Sequence, residues 1–589
     1  MLHRLYLVRS LGESARILGI AETQEHLLPI LEDLMPDPEP SLRQALVEQI
    51  PDFTKFFVES GEESIYTTVL HSLIPMVAEL TTDRHLQVRT SATESLIQIS
   101  SIIHQEDLEP YVLPIVKSLS NDATEEEHRL EAAQLLSAIS PFLTQDLCEQ
   151  FILPLISKLS EDRVFRVRKA IAANLGDLAK SLSEQSILDK IIPIYNKLCS
   201  DEIWGVRKAC AESLVSIGKS IPYSERYSTL ISIFESLVED ESRWVRGSAY
   251  QNLGPFISIF DSSQVTPQLL HYYIDMISDI KQAKALGDGE VAMYCAFNFP
   301  AVLFTVGNTR WNELSTTYFT LVKDNQWKVR RTLAFSLHEV ASILGTDITE
   351  HMLLATFELF LKDTDEVKEG VVSNLANFLN VLSPTIRLKY LDLIQELKSS
   401  KNWRFRKLIA RQLNQLCLIY DIENTNNVIV PLTLHLCQDS FAKVRKVASK
   451  GVGLLMKRLV QDNSSLKNEV ERQLISFSTH ASSYKRQLFI DICENLVNQL
   501  DSDLFDTKYL PKLLALQNDK IPNIRQALAN VLGILILNEK YSSNTEIISI
   551  LESLQQDKDK ETRFVSKCAL DEASKKIKNE DNTINKNVL

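Results

Sequence analysis

An aspartate followed six residues later by an arginine recurs along this chain of 589 residues. DRVFRVR, DEIWGVR, DESRWVR and DNQWKVR share this spacing, with Val directly before the arginine. A carboxylate and a guanidinium can form a bidentate ion pair. A catalytic site occurs once per domain, so we interpret the recurring pair as structural, with each arginine bonding the aspartate of its own or the next turn. The predicted ladder comprises Asp162, Arg168, Asp201, Arg207, Asp240, Arg246, Asp324, Arg330, Asp439, Arg445, Asp519 and Arg525.

Sequence patterns of catalytic and metal sites do not occur. His338-Glu339 lacks a second histidine four residues on, so it is not the zinc motif HExxH. The patterns GxGxxG, GxxxxGK[ST] and GxSxG are absent. The eight cysteines form no CxxC pair, which argues against a zinc site or disulfide framework and fits a reducing compartment. We predict no enzyme activity, no metal and no cofactor, in a cytoplasmic protein for which the nucleus is a second location.

Large aromatic residues stand just before several motif arginines, where the sequence predicts turns between helices. A ring there can pack on the neighbouring turn, or it can anchor a protein partner, since Trp and Arg dominate interface hot spots. Both roles can hold for one ring. The residues are Phe165, Trp204, Trp327 and Trp403 three places before the arginine, Trp244 two before and Phe441 four before. Phe165, Trp204, Trp244 and Trp327 form a candidate ridge separate from Trp403 and Phe441.

The turns near the C-terminal end are basic, although the chain is acidic. Its 63 Lys and Arg oppose 77 Asp and Glu, a net charge of −14. This balance disfavours nucleic acid as a partner, because phosphate binding needs a basic surface. The local basic turns could steer an acidic partner, or they could be a solvated face. Their residues include Arg404, Lys443, Lys446 and Lys485.

The elements that must position these residues follow from the period. The motif arginine recurs about every 39 residues from Arg4 to Arg563, in the range of helical-pair solenoids. Apolar residues follow each Val-Arg at helical spacing. A second amphipathic helix precedes the aspartate, and in seven units a proline eight residues ahead of it predicts a kink. Each unit is thus a bent helix A, a turn and a straight helix B. Since one pair cannot bury its apolar stripe alone, we predict an all-α right-handed solenoid of about fifteen repeats, with helices A outside and B inside.

The register shifts at a few places. Lys368 and Ala292 replace the arginine in two degenerate copies. Ahead of the second, the turn over 279–288 is extended, which indicates either a tolerated loop or a regulatory insertion. The first repeat begins at helix B without helix A. We predict one array over 1–570 and a frayed polar tail over 571–589. No apolar run approaches the length of a membrane span, so no membrane partner is expected.

The motif D-x-x-W-x-V-R after a first helix is typical of HEAT repeats, and fifteen of them resemble the scaffold A subunit of protein phosphatase 2A. Four segments resemble the protein phosphatase 4 regulatory subunit 1 family more closely: CSDEIWGVRKACAESL (199–214), SRWVRGSAYQNLGPFISIF (242–260), CAFNFPAV (295–302) and QWKVRRTLAFSLHEVASILG (326–345). The resemblance implies a non-catalytic protein that binds the catalytic subunit of a serine/threonine phosphatase, directing it to substrates. It also implies phosphoprotein substrates or further regulatory subunits as partners.

The resemblance further implies where partners dock. In the scaffold A subunit, partners lie on the ridge of turns within repeats, regulatory subunits on the N-terminal repeats and the catalytic subunit on the last five. Here the last five units begin at KNWRFRKL, which places Trp403 on a catalytic-subunit contact. Arg404, Phe441 and Lys443 are its expected neighbours. Trp244 falls on another contact position, one place nearer its arginine.

Two alternatives belong to other classes of protein. An importin-like nuclear transport receptor is also an acidic helical solenoid. The adaptor relatives of importins carry Asn four residues after Trp, and this chain does not. The residues at that position here are Lys208, Ser248, Arg331 and Lys407. A generic HEAT assembly scaffold is the second alternative.

Overall fold

A computed structural model of the chain describes residues 2–278, 290–538, 540–542 and 544–586. The chain divides into two compact units, Met1–Phe319 (unit 1) and Thr320–Leu589 (unit 2). The described residues of both units form helices and turns without a strand. The predicted all-α solenoid class is confirmed.

In unit 1, a layer of B helices alternates along the chain with a layer of A helices. The B helices are Leu2–Arg9 with Leu11–Leu18, Pro40–Val58, Leu86–Ser100, Glu126–Ile139, Phe165–Ala179, Trp204–Ser220, Arg243–Ile257 and Glu290–Val306. The A helices end in the segments Leu28–Leu34, Ile74–Leu80, Leu113–Asn121, Leu153–Ser160, Ile192–Cys199, Arg226–Val238, Pro267–Ser278 and Trp311–Val322, the last of which contains the division between the units.

Unit 2 repeats this alternation. Its B helices are Trp327–Ile348, Asp365–Ser373 with Leu375–Val381, Trp403–Arg411 with Leu413–Ile419, Ala442–Gln461, Ser483–Leu496, Pro522–Ile536 and Lys560–Lys586. Its A helices end in Leu354–Leu361, Leu391–Lys398, Val430–Cys437, Lys467–Ser476, Leu510–Leu514 and Thr545–Leu554. Helix Trp327–Ile348 is bent at Gly345, whose φ of 80° ends helix B and begins the next helix A.

The core lies between the two layers of each unit. Where a valine stands directly before a motif arginine it is fully buried, as at Val167 and Val206 in unit 1 and Val444 in unit 2. Neighbouring B helices approach closely at small residues. A Cβ added at Gly176 would lie 2.3 Å from the Ser216 hydroxyl, so glycine is required where these helices cross.

The predicted kink of helix A is a π turn. In the repeat that precedes Trp204, the N–H of Ile192 donates to the carbonyl of Ile187, five residues back, and Pro193 follows. Proline has no N–H to donate and its ring crowds the preceding turn, so a wider turn accommodates it. Of the seven kink prolines, Pro511 follows no π turn. Six π segments precede a kink proline: Thr23–Leu27, Val69–Leu73, Leu108–Val112, Cys148–Ile152, Ile187–Ile191 and Thr425–Ile429. A further π segment, Thr349–Leu353, precedes no proline.

Helix B is not straight in every repeat, which corrects the sequence prediction. It is interrupted at Asn374 and again, in the next repeat, at Gln412. The buried Gln412 side chain accepts from the Ala376 N–H at 2.8 Å and donates to the Val372 carbonyl at 2.7 Å. These are backbone groups on either side of the Asn374 break. An inserted amide therefore replaces helical hydrogen bonds and interrupts the helix.

Helix Lys560–Lys586 extends into 571–589, the segment for which the sequence pattern predicts a frayed tail. The four lysines of this segment favour helix as single residues. The extended turn predicted over 279–288 lies outside the described residues.

Candidate functional site

The Asp-Arg motif builds a ladder that links consecutive repeats. Arg168 in unit 1 shows the geometry: Nη1 donates to the carbonyl of Asp162 in its own turn at 2.7 Å, and Nε and Nη2 donate to the two carboxylate oxygens of Asp201 in the next turn. The sequence left open whether the arginine bonds its own turn or the next turn, and one arginine bonds both. The same bidentate contact, with Nε to Oδ2 at 2.5–2.7 Å, joins Arg43 to Asp83, Arg129 to Asp162, Arg207 to Asp240, Arg330 to Asp363, Arg406 to Asp439, Arg486 to Asp519 and Arg525 to Asp557.

The ladder has interruptions. Arg445 bonds the carbonyl of Asp439 in its own turn, but the next turn carries His480 in place of aspartate, and the guanidinium lies over Tyr484 instead. Asp324 caps its own turn, and Ala292 stands where its arginine partner would be. Arg246 bonds the Asp240 carbonyl, and its onward position, 279, lies outside the described residues.

The ion pairs shift the pKa values of the ladder residues in the directions that keep both partners charged. Burial favours the neutral form of Asp83, but hydrogen bonds from Arg43 and from the His85 N–H outweigh it and lower the pKa of Asp83 to about 2. The hydrogen bond to Asp439 raises the pKa of Arg406 against the effect of burial. Each rung is therefore a fully charged pair held between two turns.

A stacked pair of rings lies on one rung of unit 2. Trp403 is the first residue of helix Trp403–Arg411, and its ring stacks on Phe441 with centroids 5.5 Å apart and planes 10° from parallel. Below the stack, Arg406 binds Asp439, and the Arg406 guanidinium lies 5.6 Å from the centre of the Phe441 ring. The rung therefore fixes both helix starts that carry the rings.

Cations surround this stack. Arg404 lies 5.2 Å from the Trp403 ring centre, and the ammonium groups of Lys407 and Lys443 lie 5.9 Å from it. Cations over an indole face gain attraction from the ring quadrupole. We call these five residues, Trp403, Arg404, Lys407, Phe441 and Lys443, the Trp403 patch.

The other two basic residues predicted for this site face different groups. Burial raises the pKa of Asp491, and the charge of Lys446 offsets only part of this rise. Lys485 lies 5.5 Å from the centre of the Phe477 ring. The structure therefore brings four of the six predicted residues together and adds Lys407.

Unit 1 carries single rings on successive B helices. Phe165 and Trp204 are the first residues of their helices, and Trp244 is the second residue of its helix. The sequence predicted these rings in the turns between helices. They lie instead in the first turn of helix B, because helix B begins before Val-Arg. The three rings, which we call the unit 1 ridge, are 42%, 47% and 51% exposed, and within the described residues no ring stacks on them. Trp327 in unit 2 is likewise a single ring at a helix start, 40% exposed.

The environment of the unit 1 ridge is less basic. Arg166 is ion-paired with Glu126 and Glu127, and Lys208 with Glu212. Arg243 lies over the Trp244 ring at 4.6 Å. Most of the positive charge beside these rings is therefore balanced by carboxylates.

The described residues contain no group of three or more His, Cys, Asp or Glu side chains that could hold a metal ion. No single described helix is long and apolar enough to cross a membrane, although the bent pair Val291–Val306 and Asn308–Val322 passes on length and composition.

Two segments of the chain match protein-family models. Residues 295–397 match the family model for the protein phosphatase 4 regulatory subunit 1 middle domain, and residues 145–222 match a PPP2R1A-like HEAT repeat. Part of this chain is therefore similar to protein phosphatase 4 regulatory subunit 1. Phe165 and Trp204 lie within the second of these matches and Trp327 within the first, whereas the Trp403 patch follows both.

Sequence similarity to named proteins extends over longer segments. Serine/threonine-protein phosphatase 4 regulatory subunit 1 of Rattus norvegicus is 37% identical over 314 residues, which cover 51% of this chain and 33% of the relative. The Homo sapiens protein is 36% identical over 327 residues, 53% of this chain and 34% of its own length. The beta isoform of the 65 kDa regulatory protein of Homo sapiens phosphatase 2A is 36% identical over 118 residues, 20% and 18% of the two chains. The match spans about a third of the first two relatives.

Solved structures show the same fold. Importin beta superposes with a TM-score of 0.60 at 12% identity, covering 97% of this chain and 77% of that one. The karyopherin Kap121p, bound to the extreme C-terminus of the protein phosphatase Cdc14p, gives 0.53 at 15% identity, with 96% and 68% covered. At these identities the likeness concerns the fold alone.

Proposed function

We propose that this chain is a non-catalytic regulatory or scaffold subunit of a serine/threonine protein phosphatase of the protein phosphatase 4 type. The observation that carries the proposal is the 36–37% identity to phosphatase 4 regulatory subunit 1 over half of the chain. The match to the middle domain of that protein supports it. In this role the chain binds the catalytic subunit, which it presents to substrates.

The Trp403 patch is the docking site that we propose for the catalytic subunit. A large ring at the centre of an interface is a typical hot spot, and the stack on Phe441 fixes its position before binding. Three cations around it add electrostatic steering toward an acidic partner. Lys446, on the same helix as Lys443, and Lys485, at the start of the next B helix, add further positive charge.

The unit 1 ridge is a second protein-binding surface in this proposal. Three rings, each about half exposed, line successive helix starts. We propose that it takes phosphoprotein substrates or further regulatory subunits. We also propose a cytoplasmic location, with the nucleus as a second one. The eight free thiols, seven of them buried, fit the reducing conditions of both.

Size-exclusion chromatography of the purified chain with purified phosphatase 4 catalytic subunit tests the proposal. We expect a stable 1:1 complex, and no dephosphorylation of a phosphopeptide by the chain alone. Separate elution of the two proteins at micromolar concentrations would contradict it. Turnover by the chain alone that survives repurification and is lost on a point mutation would contradict the non-catalytic role.

A further inference from the structure

Two consecutive B helices of unit 2 carry basic side chains beyond the Trp403 patch. The helices Trp403–Arg411, Leu413–Ile419 and Ala442–Gln461 contain no Asp or Glu, in a chain with a net charge of −14. Beyond the patch and the ladder, their cations include Arg411, Lys446 and Lys450, which are exposed, and Lys457, which is half-buried. We call these four residues the basic strip.

The lysines of the strip share one side of helix Ala442–Gln461. A Cβ added at Gly451 would lie 2.7 Å from Leu413 on the preceding B helix, and one at Gly453 would lie 2.6 Å from the Asn495 carbonyl on the following one. These glycines mark the two sides that contact neighbouring helices. At about 100° per residue, Lys450 points between them, with Lys446 and Lys457 within roughly 40° of it. Lys450 therefore faces outward between the two neighbours, whereas Lys446, about 20° from the direction of Gly453, lies toward the following helix, where it acts electrostatically on Asp491.

The cations of the strip form no direct ion pairs. Within the described residues, none of its four side chains has a carboxylate within salt-bridge distance, and only Lys446 acts on a nearby carboxyl, that of Asp491. Arg166 and Lys208 on the B helices of unit 1, by contrast, are paired. Unpaired cations grouped on a surface repel one another, and an anionic ligand relieves that repulsion. The strip can therefore bind the carboxylates of a ligand.

Acidic residues border the strip on both sides. The preceding B helix begins with Asp365 and Glu366, both exposed, and the following one carries Asp491 and the exposed Glu494. The positive surface is therefore two helices wide, about 20 Å at 8–10 Å between helix axes. Lys446 to Lys457 spans roughly 16 Å along the helix, the length of about five residues of extended peptide.

We propose that the basic strip binds an acidic peptide segment of a protein partner, extended along helix Ala442–Gln461. Its carboxylates would meet Lys446, Lys450 and Lys457 on one side and Arg411 on the other. Leu418, 64% exposed and two turns after Arg411, offers an apolar contact beside the acidic run. The bordering carboxylates disfavour a wide polyanion such as duplex nucleic acid. This binding needs no catalytic subunit, so it goes beyond the proposed function.

Fluorescence anisotropy on the full chain tests the inference, with a labelled peptide of five Asp and Glu residues followed by Leu. The variant R411E/K450E should bind at least tenfold more weakly than the natural sequence. The matched control K169E/K219E makes the same charge change on exposed B-helix lysines of unit 1, and it should stay within twofold. Circular dichroism confirms equal helicity. If R411E/K450E does not fold, R411Q/K450Q tests the same contacts and should lose about threefold.

Three results would overturn the inference. Equal loss in R411E/K450E and K169E/K219E would show a response to total charge only. Unchanged affinity in R411E/K450E, or no binding at 100 μM peptide in low salt, would show that the basic strip does not bind an acidic peptide. Tighter binding of an eight-nucleotide single strand than of the peptide would assign the strip to nucleic acid.

Discussion

The Trp403 patch and the unit 1 ridge arise from the same motif, yet they are different surfaces. Trp403 stacks on the ring of the next repeat and has three cations around it. Trp204 lies at the same position of its own repeat, 47% exposed, and the lysine four residues after it is paired with Glu212. An aromatic residue at the motif position is therefore not sufficient to form a stacked, basic surface like the Trp403 patch. Pairing with the next repeat and unbalanced charge distinguish one site from the other.

The difference in stacking follows from how many residues separate each ring from its motif arginine. Trp403 stands three residues before its arginine and Phe441 four before, and this offset places the two rings face to face above the Arg406–Asp439 rung. Phe165 and Trp204 both stand three before and do not stack. A stacked pair loses less side-chain freedom on binding than a single ring, so the Trp403 patch is the better-organised anchor.

The largest effect expected is on stability, at the rung beneath the stack. Arg406→Ala should lower the free energy of local unfolding by about 3 kcal/mol, because the Asp439 side chain, only 3% exposed, would remain buried without its partner. Arg445→Ala is the matched control, since its next turn offers no carboxylate, and it should cost about 1 kcal/mol. Hydrogen exchange of helices Trp403–Arg411 and Ala442–Gln461 measures both. Equal losses would mean that the rung does not stabilise the patch.

The same rung should give a smaller, pH-dependent effect. Burial opposes ionisation of Asp439, but the hydrogen bonds from Arg406 and the Phe441 N–H outweigh it and lower its pKa below the usual 3.8. A carboxyl with a lowered folded-state pKa stabilises the fold above its unfolded pKa, and this stabilisation is lost as the pH falls through the folded value. Below about pH 4 the natural chain should lose protection around the patch. Asp439→Asn should show a flatter dependence there, and an unchanged slope would refute the assignment.

Reversing one charge of the patch should change association rather than fold. Lys443→Glu should slow binding of the catalytic subunit roughly tenfold at low salt and reduce its salt dependence, because rim charges mainly affect the association rate. Stopped-flow or surface plasmon resonance measurements at several ionic strengths give the rate. The control Lys169→Glu, on a B helix of unit 1, should leave it unchanged. A change in dissociation rate alone would argue against steering.

The smallest effect is expected at the single ring. Trp204→Ala should lower the free energy of unfolding by only about 0.5 kcal/mol, since nearly half of the side chain is already exposed. Trp403→Ala should cost somewhat more, because an aromatic stack adds about 0.5–1.5 kcal/mol beyond area burial. Thermal unfolding of both variants gives the comparison. A larger loss for Trp204 would show that it packs in the core rather than on a ridge.

Much of the architecture could be predicted from spacing. An aspartate and an arginine six residues apart, repeated every 39, place the aspartate of the next turn 33 residues after each arginine, and Arg168 binds Asp201 in this way. The spacing alone left open whether the arginine bonds its own turn or the next, and it bonds both. The prolines predicted the kinks of helix A, but not that six of them are π turns. The breaks at Asn374 and Gln412 were not predictable, because such breaks depend on which backbone groups a neighbouring side chain can satisfy.

The site was less predictable than the fold. The sequence indicated Trp403, Phe441 and the basic residues near them, but stacking depends on how two helix starts are oriented. The turn motif does not reveal Arg411, Lys450 and Lys457, because these residues lie on helix faces. Their signal in the sequence is two B helices without a single acidic residue. The unit 1 residues Phe165 and Trp204 lie within a matched family segment, which the Trp403 patch does not.

Binding of the catalytic subunit to Trp403→Ala and Trp204→Ala variants of equal helicity tests the central claim most directly. Isothermal titration calorimetry should show a loss of about 2 kcal/mol or more for Trp403→Ala, roughly thirtyfold in affinity, as expected for a hot-spot ring. Trp204→Ala should bind within about twofold of the natural chain. Equal losses in the two variants, or no loss in Trp403→Ala, would contradict the assignment of the Trp403 patch as the docking site.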